Sequence, residues 1–430
     1  MANSKLSNLS NYFIKYGFVL NDALIYNGLE NTFVYGPLFL AIKTIIKQKW
    51  IQEFITNKNC VLIESPIITN PDVYLGSKHL KQFKDCFIDC KNCKKRFRSD
   101  ENNSKISSCQ FCKSEEITNP RNFQLMFEVN KDKFKSEKVF YLRPETAQGI
   151  FINYKEIGFV NNLKLPFGIG QIGKSFRNEI NLNNFLFRLR EFEQMELEYF
   201  FEYQNLNQVE QLFSQFENLV LNFLTSFGLK KENILLKNVE KNDLAHYAQK
   251  TTDFEFKFRF GTFELCGLSY RKDFDLLNHQ EFSKKKLYYL NSKNEKIIPH
   301  VIEPSIGIER LILAIIDSNL TFENNRYLLN IPFAIAPFQI AILPLVKKLN
   351  EPAIKIFNSL KNEFRCTFQD KKSIGKRYYY QDAIGTFFAI CFDYDSLVDF
   401  KVTIRIRNNK EQKRILISEI KNFINKFING

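Results

Sequence analysis

The sequence predicts an α+β domain rich in strands, with a small cysteine-rich insertion, followed by a smaller α/β domain. Three observations carry this reading. Residues 123–200 and 252–270 are strand-like, with tight polar turns between the runs. Helical spacing is confined to a few separate stretches. Beyond a linker from Ile331-Pro332 to Pro337, the texture changes to alternating strand and helix units.

The elements are taken in chain order. Tyr35-Gly36-Pro37 opens a helix, because proline suits a first helical residue. Leu38, Ile42, Ile45, Ile46, Trp50 and Phe54 then recur at helical spacing. A strand runs from Cys60 to Pro66. Residues 86–120 are polar and rich in Cys and Lys, and form the insertion. Leu206, Val209, Phe213, Phe216, Val220, Phe223 and Phe227 predict an amphipathic helix over 205–227, stopped by Gly228. Residues 200–255 are therefore expected as a helical insertion within a domain spanning 1–335. Val301–Ser305 reads as a strand and Gly307 to about Ile316 as a helix. In the domain spanning 336–430, strand Gln339–Leu345 precedes helix 351–364. Strands Phe387–Phe392 and Lys401–Ile406 come next, then a last helix ending near Phe427.

The chain has 430 residues and a net charge of +14. Residues 335–430 hold 17 Lys+Arg against 9 Asp+Glu, so +8 sits in that segment. Such a balance favours an anionic partner, nucleic acid above all. No apolar run reaches the roughly 18–20 residues of a membrane helix. Met1–Asn11 is polar and lacks the apolar stretch of a signal peptide, so a soluble, cytoplasmic protein is expected.

Nine cysteines without a secretion signal argue against a disulfide framework. Cys90-x-x-Cys93, fifteen residues, then Cys109-x-x-Cys112 has the spacing of a zinc ribbon. Four thiolates would hold a structural Zn²⁺. Cys60, Cys266, Cys366 and Cys391 read as small buried hydrophobes. His79, His246, His279 and His300 have no metal spacing and read as structural.

Gly168 to Ser175 fits both phosphate-loop patterns, G-x-x-x-x-G-K-S and G-x-G-x-x-G. Both demand a helix directly after the loop. The residues after Ser175 are Asn-rich and alternating, so a nucleotide-hydrolysing loop enzyme is disfavoured. Period two instead puts Arg177 and Glu179 on one strand face. After a turn, Arg188, Arg190, Phe192, Gln194 and Glu196 share a face, while Leu189, Met195, Leu197 and Tyr199 help line the other. A sheet face of guanidinium, aromatic and carboxylate groups suits a polyphosphate, a purine and an ammonium group. A solvated face with cross-strand ion pairs fits the same residues.

Longer strings carry a family resemblance. Phe176–Glu179 with Phe187–Phe192 resembles motif 2 of class II aminoacyl-tRNA synthetases, Pro304–Arg310 resembles motif 3, and residues 36–66 resemble the dimer-forming motif 1. Leu142–Gly149, Arg190–Glu196 and Val301–Ser305 are similar to blocks of the homodimeric glycyl-tRNA synthetases. Ser373–Tyr378 and Gln381–Thr386 resemble that family's anticodon-binding domain. The resemblance implies a catalytic domain on an antiparallel sheet flanked by helices. It also implies glycine activation by ATP with Mg²⁺, glycyl transfer to tRNA(Gly), and a homodimer.

The resemblance also implies roles. Arg177, Glu179 and Arg310 are the catalytic residues, with Arg177 on the glycine carboxylate and α-phosphate and Arg310 on the γ-phosphate. The ATP site adds Asn178, Phe187, Arg188, Leu189, Arg190, Glu191, Phe192, Glu264, Leu265, Gly307, Ile308 and Glu309, with Phe192 stacked on adenine. Glycine is bound by Arg98, Glu145, Phe192, Glu193, Gln194, Met195, Glu196, Glu303, Pro304, Ser305, Ile306 and Gly307. The family string around Arg98 usually has Ala where this chain has Ser99. Glycine offers no side chain to grip, so carboxylates must hold its ammonium and bulk must exclude anything larger. A non-catalytic relative that binds nucleic acid would have lost Arg177, Arg310 or the glutamates, and all are present. Lys371, Lys372, Lys376, Arg377, Lys401, Arg405 and Arg407 are expected to meet tRNA phosphates, against the plainer reading of a solvated face.

Overall fold

The computed structural model describes every residue except 1, 57, 99–105, 130–138, 180–184, 241–243, 292 and 430. A seven-stranded sheet dominates. Its spatial order is Ile234–Asn238, Lys250–Phe258, Gly261–Lys272, His300–Gly307, Glu191–Phe201, Phe167–Phe176 and Cys60–Ile63. Every pairing is antiparallel except that of the last two strands.

One sheet face is covered by helices. Pro37–Trp50 starts on Pro37, as the sequence predicts, and its buried residues face inward. Leu206–Thr225 starts where the Asn205 side chain accepts the Gln208 N–H at 2.9 Å, a cap that satisfies an orphan donor. Ile308–Asn319 is buried over most of its length. Met195, Leu197, Phe213, Phe223, Ile306 and Ile312 join this core, each fully buried. Each such side chain contributes about 1.5–3 kcal/mol by leaving water.

The phosphate-loop pattern lies inside the strand Phe167–Phe176, and the residues described directly after it, 177–179, are not helical. Its glycines serve close packing. A Cβ at Gly173 would stand 2.1 Å from Arg143 Nη2, and one at Gly170 would stand 2.6 Å from Ile55 Cδ1.

Several expectations need correction. Residues 200–255 are not a helical insertion, because 234–238 and 250–258 are strands of the main sheet. Helices Ala2–Lys15, Ala147–Phe151 and Tyr154–Val160 lie in stretches without a helical signal in the sequence reading. The strand face expected from Arg188 onward begins only at Glu191, since Phe185–Phe187 is a 3-10 turn.

The Cys-rich segment forms a three-stranded sheet of Arg96–Arg98, Lys84–Asp89 and Arg121–Gln124. Ile88, Cys90, Phe97 and Cys109 make its own small core.

Past the linker, a five-stranded sheet runs in the order Cys366–Phe368, Ile340–Pro344, Phe388–Phe392, Lys401–Ile406 and Gln412–Leu416, with a separate core. Here the expected phosphate contacts divide. Arg377 donates to the carbonyls of Pro344 and Gln369 at 2.7 and 2.8 Å. Arg405 grips Asp382 through two bonds of 2.7 and 2.9 Å. Arg407 donates to the carbonyls of Ile331 and Gly385 at 2.6 and 2.7 Å. All three are buried and spent inside the protein, whereas Lys371, Lys372, Lys376 and Lys401 are exposed.

Candidate active site

The sheet face opposite the core opens into a cavity of about 330 Å³, large enough for a small ligand. Alternation along Glu191–Phe201 decides what reaches it. Phe192, Gln194 and Glu196 line the cavity. Glu193 turns to the far face, where it pairs with Lys43 at 2.7 Å and with Lys47. Met195, Ile306 and Ile308 also face away, into the apolar core. Glu191 is exposed against Lys174, and Arg190 Nη1 reaches the Glu30 carbonyl at 3.4 Å. Asn178 and Pro304 are not among the lining residues. The side chains of these expected site residues therefore do not line the cavity. Arg98 ends a strand, and its side chain lies outside the described residues.

One end of the cavity is a set of buried carboxylates. Glu196 accepts the Thr146 N–H at 2.9 Å, the Ser305 hydroxyl at 2.8 Å and the Gln194 amide at 2.9 Å, along with the Thr146 hydroxyl. Burial, then the charge of Glu145, raises the Glu196 pKa above the usual carboxylate range. Glu145 lies 3.2 Å from His79 Nε2 and accepts a 3.2 Å bond from Gln148. Burial opposes its charge, but His79, Arg271 and Arg177 outweigh burial and hold its pKa low. Glu303 accepts a 2.6 Å bond from Arg271, which also grips Asp275 at 2.8 and 2.9 Å. Burial pushes Glu303 up most, Arg271 opposes it, and Glu196 and Glu145 push further, to about 8. On the same strand, Glu198 is fully buried, both its oxygens lack a hydrogen-bond partner among the described residues, and burial raises its pKa well above the ordinary range. Carboxylates crowded this way favour a cationic ligand.

The other end is cationic and aromatic. Arg310 lies over the Phe187 ring at 4.4 Å, donates to the Phe187 carbonyl at 3.1 Å and meets Glu264 at 3.3 Å. Asp253 sits nearby, and burial and then Glu264 raise it to about 6. Arg177 lies between the ends, where its Nε donates to the Pro144 carbonyl at 3.1 Å and its guanidinium faces the Phe192 ring at 5.2 Å. Glu179 is 3.8 Å from Arg188. Arg188, Leu189, Leu265, Gly307 and Glu309 complete the expected residues that line the cavity. Glu309 also reaches back to Lys43 at 3.0 Å, and so ties this wall to the helix Pro37–Trp50.

Sequence reasoning misses Val239, Ala245, Tyr247, Thr251, Asp253, Cys266, Gly267 and Ser269, which line the cavity too. The alternation Thr251, Asp253 is a signal for a strand with a cavity face, but it is masked where the segment reads as part of a helical insertion.

The four clustered cysteines converge, with their sulfurs within 4.8 Å of one another. Cys90–Cys112 and Cys93–Cys109 each stand 3.6 Å apart. A tetrahedral ion with bonds near 2.3 Å spaces thiolates about 3.8 Å apart, so the set fits zinc. Burial opposes ionisation of Cys109, yet the backbone N–H groups of Cys112 and Phe111 outweigh it and hold the thiol at about 6.

An antiparallel sheet bearing a two-ended cavity, with a buried carboxylate cluster at one end and an arginine over aromatic rings at the other, defines the core of a class II aminoacyl-tRNA synthetase. Residues 127–319 match the tRNA synthetase class II core domain (G, H, P, S and T), and residues 339–427 match the anticodon binding domain. Two solved structures share the fold. Prolyl-tRNA synthetase of Giardia lamblia, in complex with prolyl-adenylate, aligns at TM-score 0.71 and 16% identity over 97% of this chain and 75% of that one. The enzyme of Cryptosporidium parvum, complexed with L-proline and AMP, aligns at TM-score 0.68 and 14% identity over 98% and 74%. In sequence, the glycine--tRNA ligase of Mycoplasma capricolum subsp. capricolum is 44% identical over 445 residues, covering 96% of this chain and 97% of the relative. That of Mycoplasma pneumoniae is 45% identical over 430 residues, covering 95% of each. The chain belongs to the glycine--tRNA ligase family.

Proposed function

We propose that this protein activates glycine with ATP and transfers the glycyl group to the 3′ end of tRNA(Gly). One observation carries the assignment of the site. Buried carboxylates and cavity-facing arginines occupy opposite ends of one cavity, with Arg177 between them. Glu145, Glu196 and Glu303 hold the glycine ammonium, with Ser305 and Gln194 fixing Glu196. The glycine carboxylate then lies beside Arg177. One of its oxygens attacks the α-phosphorus as the bond to the bridging oxygen breaks and pyrophosphate leaves. Arg177 stabilises charge developing at that phosphorus, and Arg310 holds the distal phosphates, because a guanidinium binds phosphate as a fork and stays charged. Phe192 and Phe187 supply faces for the adenine. In the second step a hydroxyl of the terminal ribose attacks the glycyl carbonyl, AMP departs, and the hydroxyl proton passes to it or to water. No enzyme nucleophile is needed, since positioning and charge do the work.

Magnesium bound with ATP would neutralise phosphate charge, and Glu264 and Asp253 are cavity carboxylates that would hold it. Zinc on Cys90, Cys93, Cys109 and Cys112 would hold the insertion folded. Chelation should then release one metal per chain and loosen that segment to protease; a metal-free preparation equally resistant refutes the zinc reading. Exposed Lys371, Lys372, Lys376 and Lys401 suit tRNA phosphates, and a cytoplasmic setting is in keeping with a reaction that consumes ATP and tRNA. We infer a homodimer as well. Ile25 and Tyr26 are 86% and 79% exposed in an apolar run just before the helix Pro37–Trp50, a face that a second copy would cover. Sedimentation at the mass of one chain would refute it.

Pyrophosphate–ATP exchange tests the reaction. Exchange should depend on glycine, with alanine, serine and threonine inactive, and Arg177→Ala should abolish it. No exchange with glycine, or equal exchange with alanine, would overturn the assignment.

A further inference from the structure

The amino-acid end of the cavity has one bulky wall that the proposed reaction leaves without a task. Tyr247 lines the cavity. Its ring lies on the Arg271 guanidinium, 3.6 Å from the centroid. Arg271 is held in turn by Asp275 and Glu303. The charged groups close to Tyr247 are Glu303, Arg271 and Glu145 of the amino-acid end, with Arg177 from between the ends. Those close to Asp253 are Glu264, Lys237, Glu255 and Arg310, which mark the nucleotide end. Tyr247 therefore stands where the cavity closes around the carboxylates.

The stretch from Ala245 to Gln249 is tied to the sheet by backbone hydrogen bonding. Gln249 N–H donates to the Tyr270 carbonyl at 2.8 Å, and Ala248 N–H to the Ala245 carbonyl at 2.9 Å. The neighbouring His246 packs edge-on against His79, at 5.7 Å between ring centroids, and His79 is the partner of Glu145. The aromatic wall and the ammonium-binding carboxylates thus share supports.

Carboxylates recognise an ammonium group, which every amino acid carries. Selection for glycine must come from excluded volume. A roomy pocket discriminates by only about 10–200-fold per methylene, so a steric filter needs a wall that does not yield. We propose that Tyr247 is the specificity-determining residue of the amino-acid end: its ring, clamped on Arg271, fills the space that a side chain on the substrate α-carbon would require. This rests on the proposed glycine activation and names the residue that restricts it.

The test uses the full-length protein and two readouts. Exchange with glycine, alanine and serine gives kcat/KM ratios, and calorimetric titration with free glycine and alanine gives a binding ratio without chemistry. Tyr247→Ala should raise the alanine-to-glycine ratio at least about tenfold in both. Tyr247→Phe, which keeps the ring, should retain the wild-type ratio. Tyr247→Leu stands in if the alanine variant melts early, with a rise in the same direction expected. A folded Tyr247→Ala or Tyr247→Leu protein with an unchanged ratio overturns the proposal. Wild-type protein that binds glycine over alanine but supports no exchange sinks the reaction while leaving Tyr247 as the filter.

Discussion

The two ends of the cavity handle charge in opposite ways. At the amino-acid end, Arg271 and Glu303 have side chains 0% and 7% exposed. At the nucleotide end, Arg310 and Glu264 are 29% and 50% exposed. A buried charge must be matched by a neighbour or by the ligand, whereas a half-exposed one is hydrated until its ligand arrives. The first end is thus part of the folded scaffold. The second is an open seat, with Arg310 and Glu264 both within reach of solvent, and costs the fold little. Substitutions at the two ends should fail for different reasons.

The largest effect is expected at the buried end. Arg271→Ala strips Asp275 and Glu303 of their common cation and leaves the buried Asp275 carboxylate with the Gln148 amide in place of a cation. Loss of one partner of such a set costs about 3–5 kcal/mol. The thermal midpoint of the catalytic domain should drop sharply, before any question of activity arises. An unchanged midpoint would mean that this end is not structural.

Next comes Arg310→Ala. Its pair with Glu264 is partly exposed, so stability should change by no more than about 1 kcal/mol. Exchange should nevertheless fall by about 10²–10³, as expected when a preorganised charge stabiliser is removed. A variant that loses stability and activity together would erase the distinction between the ends.

Legibility in the sequence divides along the same line. The Arg177–Glu179 string, the Phe192–Glu196 string and Arg310 stand out because motifs are contiguous. Contiguity also misleads. The string from Phe192 to Glu196 places every second residue on the far face, so Glu193 belongs to Lys43 and not to a substrate. Tyr247 is invisible because it enters the cavity from a connecting stretch with no motif around it, and Asp253 because alternation along a strand does not say which face meets a cavity. Burial in the second domain is equally hidden. Period two puts Arg405 and Arg407 on one face of a regular strand, but the strand ends at Ile406, Arg407 falls in the turn beyond it, and alternation cannot say that helix Ile374–Ala383 contributes Asp382 to bind Arg405.

A smaller effect concerns pH at the buried end. Glu303 titrates at about 8 in the folded protein, above its ordinary value of 4.5. The folded state therefore binds more protons than the unfolded state between these values, and this contribution to stability is lost as pH rises through about 8. Glycine binding runs the other way, because its ammonium favours the ionised carboxylate. The glycine KM should fall by at most about tenfold per pH unit on approaching pH 8, then level. Glu303→Gln should flatten that profile. A KM independent of pH in the wild-type protein would show that the carboxylates already carry their full charge before glycine binds.

The smallest effect extends the contrast to the second domain, where one strand carries an exposed lysine and a buried arginine. Lys401 is exposed, while Arg405 is gripped by Asp382. If only the hydrated charge meets phosphate, Lys401→Ala should lower the slope of log affinity against log salt for tRNA by about 0.7–0.9, the release of one counterion. Arg405→Ala should leave that slope alone and lower the melting point of the domain instead, since it strands the buried Asp382. The reverse outcome would mean that the strand turns its arginines outward on binding tRNA. It would also mean that burial in the free protein does not separate scaffold charge from ligand charge.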